Sequence, residues 1–512
     1  MKNIILIAFS ALSLVACKLD DNIDPNLPQT DDLSPRNLLA AAQTTSYAAQ
    51  TGSMFRLSNI WTNTWAGNYY YYAAPMTREY QMDVTSTFYN PIWNNNYLAM
   101  ANLSQIINNK KAAAFPLHTA ISKILLANSM QYIVDFYGDA PYTEAFKLQE
   151  NLTPKYDKGE DIYHDLVVKL NEAIEAIDNT TVTDANKVTA SEDVILNGEV
   201  EKWKKLANTI KLRLLLRQSK VSDGTISTFV NQQLATLSGA SFIDSDVTIQ
   251  PGYNSATQEG MNPLYSNYGY YLYDLTRNNS GNRYIMVSDH FAKLLKGDAS
   301  KPTSGVADKR AIKMYRAVGR TVNGIAQGSV KPDGTKEEQY SRLGWIFDRT
   351  AVGDISGASK NGYVFTLSEA ELLLAEAAVT YPQYFSGAQV HYDNAVKASF
   401  KFYGLTEDDA TAYLALLDTK TVGWTGAPSK IAAIQYQRLI ALNQVKPMET
   451  YLNYLKTGYP ETPLALTAAH PNKPYRLVYP QSEYVGNSAN VPNVSTNDVF
   501  VKNAFTPFWN RN

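Results

Sequence analysis

Trp203-Lys-Lys-Leu-Ala-Asn-Thr-Ile-Lys-Leu-Arg-Leu-Leu215 sets the class of fold. Leu206, Ala207, Ile210 and Leu214 recur at steps of three and four, which gathers them on one face of a helix. Moving toward the N-terminus, the same period runs through Leu166, Val167, Leu170, Ala173, Ile174 and Ile177 in 162–177. It runs again through Ile121, Ile124, Leu125, Tyr132, Ile133 and Phe136 in 118–137, with Gly138 as a left-handed stop. Toward the C-terminus, Ser368 reads as an N-cap, with Glu371 completing a capping box and Leu367 and Leu372 as a staple. Segment 372–379 then pairs with 390–403, and further helices start at Thr406 and Lys430. Successive helices with short joins predict a mainly α protein of antiparallel pairs like tetratricopeptide hairpins, without their strict repeat of about 34 residues. Trp345-Ile346-Phe347 reads as a short strand within the Gly-rich stretch 321–362.

Two stretches depart from this pattern. Between Trp61 and Tyr97 the chain packs 11 aromatics into 37 residues. Tyr89, Trp93 and Tyr97 step by four, so Trp93 and Tyr97 are assigned to a helix's core face. The run Tyr69, Tyr70, Tyr71, Tyr72 cannot face one way on any regular element, so part of it is exposed. From Phe242 to Ser288 the helical period disappears and Pro and Gly punctuate a long irregular stretch. Its aromatics, Tyr268, Tyr270, Tyr271 and Tyr273, followed by Arg277 and Arg283, argue for a functional loop over a disordered one. Trp61, Trp65 and these Tyr and Arg residues are the candidates for a binding surface, since Tyr and Trp join an apolar face to a polar handle. Core packing is the competing reading for each aromatic.

The chain has 512 residues, with 46 Lys and Arg against 48 Asp and Glu, so no basic excess points to nucleic acid. At the N-terminus, Lys2 and the apolar run Ile4–Val15 have the form of an export signal too short to span a bilayer. The run ends in Leu14-Val15-Ala16-Cys17, which resembles a bacterial lipobox, so residues 1–16 are read as a signal removed before an acylated Cys17. Acyl chains on Cys17 would tie the protein to a lipid bilayer without crossing it. Lys18-Leu19-Asp20-Asp21 resembles the acidic tag of surface-displayed Bacteroidetes lipoproteins, and 17–34 reads as anchor and linker to a body over 35–512.

No nucleophile elbow, phosphate loop or EF-hand loop is present. Cys17 is the sole cysteine and the five His are scattered, so neither a zinc site nor any other metal or cofactor is expected. Glu337-Glu338 reads as part of a charged loop and Asp408-Asp409 as a helix's first turn.

Six segments in order make the chain similar to the SusD/RagB nutrient-binding lipoproteins of Bacteroidetes. They are Asp24-Pro-Asn-Leu-Pro28, Asp135-Phe-Tyr-Gly-Asp-Ala-Pro-Tyr142, the 203–214 helix, Leu374-Ala-Glu-Ala-Ala378, Lys456-Thr-Gly-Tyr-Pro460 and Arg476-Leu-Val-Tyr-Pro-Gln-Ser-Glu483. The resemblance implies a single helical domain with tetratricopeptide-like pairs and long irregular loops. It also implies an outer-membrane lipoprotein facing the cell exterior, a lid on a SusC-like TonB-dependent transporter. Such a protein captures an oligosaccharide or peptide without catalysis; a surface hydrolase and a helical scaffold or adhesin are the alternatives. One departure from the family pattern is Leu455-Lys456, where many members carry Arg-Arg.

Overall fold

The computed structural model describes residues 33–147, 150–272, 281–349 and 351–511. Cys17 and the signal run lie outside them.

The 203–215 period belongs to a helix over Val200–Arg217. In chain order the principal helices are α1 (Pro35–Thr51), α2 (Ser53–Trp61), α3 (Pro91–Ile107), α4 (Pro116–Tyr137), α5 (Gly159–Asn179), α6 (Val200–Arg217) and α7 (Gly224–Leu237). A second group holds α8 (Leu367–Thr380), α9 (Ala388–Phe402), α10 (Glu407–Leu417), α11 (Lys430–Leu442) and α12 (Pro447–Thr457). Sequential neighbours pack on one another from α3 to α7 and from α8 to α10, while α1 lies on α3 and α4. Contacts of α6 with α8 and of α2 with α12 join the two groups over one continuous core. The fold is thus mainly α, as the period predicts, and among the described residues only small two-stranded sheets accompany it.

Several local readings are corrected. The N-cap of α8 is Thr366, whose hydroxyl accepts from the Glu369 N–H at 3.2 Å. Ser368 lies inside the helix and donates to the Ala395 carbonyl at 2.8 Å, while Glu371 turns to His391 at 2.6 Å. Trp345–Phe347 is a 3-10 turn instead of a strand. The Gly344 N–H is spent on the Met314 carbonyl, and Trp345 bends the chain away at φ 52°. Gly138 ends α4 at φ 81° and ψ −126°, a conformation suited to glycine but not the left-handed helical one. Irregular stretch 242–288 contains the strand Val247–Ile249, antiparallel to Gly362–Phe365, and the short helix Pro263–Tyr268.

Charged side chains lie at the centre of the helical frame. Arg213 and Arg217 of α6 are no more than 1% exposed, and between them they meet Glu369 of α8 at 3.1 Å, Glu449 of α12 at 2.7 Å and Asp135 of α4 at 3.4 Å. Tyr163 of α5 donates to Asp135 at 2.5 Å, and Asn128 of α4 accepts from Arg213 at 2.5 Å. Lys446 stands 3.8 Å from Glu369, so three cations face three carboxylates. Burial pushes the Asp135 carboxyl up, only partly offset by Arg217 and Tyr163. A second buried set holds Lys456 of the Leu455-Lys456 departure: Lys456 pairs with Glu376, which also accepts from Arg438 at 3.1 Å. The lysine keeps an ion pair where the family pattern has arginine.

Candidate functional site

Strand Trp65–Gly67 pairs antiparallel with Ile285–Val287, which brings the Tyr run of the first half beside Tyr284 of the second. Asn68 then fixes the run as a turn. Its carbonyl accepts from the N–H groups of Tyr71 and Tyr72 at 3.0 and 3.1 Å, and its side-chain oxygen accepts from the Tyr70 N–H at 2.9 Å. Its amide donates to the Arg283 carbonyl and to Glu337, both at 2.7 Å. A polar residue buried under four tyrosines therefore holds them in a fan.

The fan is graded in exposure. Tyr69 is buried, Tyr70 and Tyr71 are half-buried and Tyr72 is 52% exposed. Tyr72 meets the Tyr284 ring edge-on at 5.2 Å and Tyr71 at 4.7 Å, both favoured aromatic geometries. The Arg283 guanidinium lies 4.8 Å from the centre of the Tyr71 ring, and Arg56 of α2 lies 5.0 Å from that of Tyr284. On the other flank Tyr70 packs on Tyr340 at 5.8 Å and donates to Thr335 at 2.5 Å.

Arg56 leads from the fan into a cleft of about 600 Å³ lined by Thr51, Ser53, Glu79, Tyr89, Asn95, Ser266 and Asn267, among others. Glu79 accepts from Arg56 at 3.1 Å and from the Tyr89 hydroxyl at 2.7 Å. Burial disfavours the Arg56 charge, but Tyr89 and Glu79 outweigh it and hold the guanidinium more firmly charged than usual. The cleft offers amides, hydroxyls and one fixed ion pair beside an aromatic face. That composition suits a ligand rich in hydroxyls or amides with a flat apolar side.

Of the residues singled out in the sequence, Tyr69, Tyr70, Tyr71, Tyr72 and Arg283 come together here. Trp61, Trp65, Tyr268 and Tyr270 are each at most 5% exposed, though Tyr268 also contributes to the lining of the cleft. Trp61 stacks on Phe88 at 5.8 Å and its indole N–H donates to the Glu79 carbonyl at 3.3 Å. Trp65 is wedged against Phe55 at 5.5 Å and Tyr268 at 5.0 Å, and Tyr268 spends its hydroxyl on the Gly52 carbonyl at 2.7 Å. Tyr270 lies beneath Arg349, whose guanidinium is 4.2 Å from its ring centre. Trp61, Trp65 and Tyr270 are thus packed in the core, and Tyr268 stands between core and cleft. Tyr271 is half-buried, and Tyr273 and Arg277 fall outside the described residues. Trp93 is buried as assigned, whereas Tyr97 is half-buried and donates to the Pro141 carbonyl at 2.7 Å.

Sequence reading missed Tyr284, Arg56, Glu79, Asn95 and Asn267. Tyr284 adjoins Arg283 and carried a signal; Glu79 and Asn95 lie in the aromatic-rich stretch 61–97 and Asn267 in the irregular stretch 242–288, but nothing local marks them or Arg56, and only the fold brings these four to one cleft. Glu337, read as part of a charged loop, is instead a hub that accepts from Asn68 and from Arg342, each at 2.7 Å. Among the described residues no group of three or more His, Cys, Asp and Glu is placed to hold a metal ion. No helix among them is long and apolar enough to cross a membrane.

The family model for SusD-like proteins, described as starch-binding and associating with the outer membrane, matches residues 27–480. No curated protein matches the chain in sequence. Among solved structures, a chitin-binding SusD homologue from Flavobacterium johnsoniae is 20% identical with a TM-score of 0.69, covering 92% of this chain and 98% of that one. A SusD homologue from Bacteroides fragilis is 21% identical with a TM-score of 0.66, covering 94% and 99%. A further SusD-like protein of the Bacteroidetes, 20% identical, gives a TM-score of 0.70 over 93% and 100%. At these identities the likeness is one of fold.

Proposed function

Because the chain belongs to the SusD-like family of outer-membrane-associated starch-binding proteins, we propose that it captures an oligosaccharide or peptide nutrient at the cell surface. The observation that carries this reading is the partly exposed tyrosine cluster Tyr71, Tyr72 and Tyr284, linked to the cleft through Arg56, which lies against the Tyr284 ring and also lines the cleft. Tyrosine faces would take the flat side of a sugar ring or peptide side chain, and Asn95, Asn267 and Ser53 would supply directed hydrogen bonds. The family description and the chitin-binding relative favour the oligosaccharide. Capture without cleavage fits the lining, where among the described residues Glu79 is the one carboxylate and is already held by Arg56 and Tyr89, whereas glycoside hydrolysis takes two.

Replacing Tyr72 and Tyr284 together by Ala should weaken binding about ten- to hundredfold, from two ring contacts of about 0.5–1.5 kcal/mol each. Calorimetric titration with maltooligosaccharides, chitooligosaccharides and short peptides measures this. Unchanged affinity for the ligand that the unaltered protein binds would place capture elsewhere.

Delivery follows from the same reading: the acylated Cys17 tethers the body to the outer membrane, where it partners a TonB-dependent transporter. Cys17→Ala should move the protein from the membrane to the soluble fraction with ligand affinity intact. Co-purification with a large β-barrel supports the partnership; loss of ligand binding in Cys17→Ala counts against the division between anchor and body.

A further inference from the structure

A second cleft, of about 780 Å³, shares no lining residue with the first. Its aromatic wall is Trp345, half-buried and packed on Phe402 at 5.1 Å and on Tyr363 at 5.7 Å, both rings also half-buried. Trp345 is held at φ 52°, a conformation bulky residues avoid and that persists only where surrounding structure imposes it. The constraint is visible in the preceding residue. The Gly344 N–H donates to the Met314 carbonyl at 2.8 Å, and a Cβ on Gly344 would stand 2.9 Å from the Tyr315 backbone. Backbone strain is thus retained where it turns an indole to the wall of a cleft.

Among the described residues the charge of the lining is unbalanced. Lys313, Arg316, Arg349 and Lys360 face two carboxylates, Asp348 and Asp354. Both carboxylates accept from backbone N–H groups of their own loop, Asp348 from Arg349 at 2.8 Å and Asp354 from Ser356 at 3.0 Å. Arg316 reaches Asp348 only at 3.9 Å, and Lys313, Arg316 and Lys360 are all exposed. A ring-shaped wall under a cationic rim selects a ligand that is both flat and negatively charged.

We propose that this cleft binds an anionic glycan, a sugar bearing carboxylate or sulfate groups, with its ring on Trp345 and its charge held by Lys313, Arg316 and Lys360. The site rests on its own lining and is independent of capture at the tyrosine fan. It extends the ligand range beyond neutral saccharides, or lets one chain with both neutral and acidic units engage two places.

The test is calorimetric titration of the full-length protein with oligogalacturonate for the carboxylate source and chondroitin sulfate oligosaccharide for the sulfate source. At least one should bind, more weakly as salt rises. Lys313→Gln with Lys360→Gln, both at exposed positions, should weaken that binding about tenfold, and Trp345→Ala by a similar factor. Tyr72→Ala with Tyr284→Ala should leave it unchanged, which separates this site from the first. Failure of both anionic probes to bind, or affinity unaltered in the double-lysine variant, overturns the proposal even if Trp345→Ala does not fold.

Discussion

Glu449→Ala should destabilise the protein by about 3–5 kcal/mol, visible as a large drop in the urea midpoint. Glu449 is fully buried and lies 2.7 Å from Arg217 and 3.5 Å from Arg213. Taking it away leaves two guanidinium groups in the core with Asp135 and Glu369 as their remaining acidic partners. The pH dependence has a definite sign. Burial alone would raise the Glu449 carboxyl, but Arg213, Arg217 and Lys446 outweigh it and hold it down at about 2. A carboxyl depressed in the folded state gives stability that is complete above its unfolded value of about 4.3 and is lost as pH falls toward the folded value. The gap between the unaltered protein and Glu449→Ala should therefore narrow from pH 5 toward pH 2. A gap constant over that range would mean the charge of Glu449 contributes nothing.

Arg310→Ala should cost a comparable amount, about 3–5 kcal/mol, in the second helical group. Arg310 is fully buried and forks onto Asp308 at 2.7 and 3.0 Å, while its other donors reach Ser399 of α9 at 2.8 Å and Gln437 of α11 at 3.0 Å. Its guanidinium lies against a pair of packed rings, 4.6 Å from the centre of Phe400 and 5.2 Å from that of Tyr413 of α10. One side chain thus fastens the loop after 297 to three helices. Arg310→Lys keeps the charge but cannot reproduce the fork or the stacking, so it should recover less than half of the loss. Denaturant midpoints for both variants decide this; full recovery by lysine would show that only charge matters there.

The helical frame is legible in the sequence because it depends on local spacing. Leu206, Ala207, Ile210 and Leu214 mark α6 whatever lies elsewhere, and the match from 27 to 480 agrees with motifs read in order along the chain. What those residues leave unread is the charge between them: nothing near Arg213 and Arg217 announces that they point inward, since Glu369 and Glu449 lie 156 and 232 residues away. The same reason divides the candidate site. Four tyrosines in a row had to expose some ring, and Tyr72 is that ring. Trp61 and Trp65 have the same chemistry but face Tyr451 and Phe55, partners no local pattern reveals. The cap of α8 slips by two residues because Thr366 and Ser368 are both competent caps, and the strand Gly362–Phe365 fixes which one the chain reaches first.

The central charge cluster also bears on how the protein is made. Translation delivers α4 and α6 long before α12, so Arg213 and Arg217 leave the ribosome with their acceptor Glu449 still 232 residues from being synthesised. At that point Asp135 of α4 is the one carboxylate of the cluster already made, so the desolvation of two guanidinium groups is only partly compensated, which disfavours early compaction of that segment. Closure of the core is thereby tied to the last part of the chain, with α12 as a keystone that comes late.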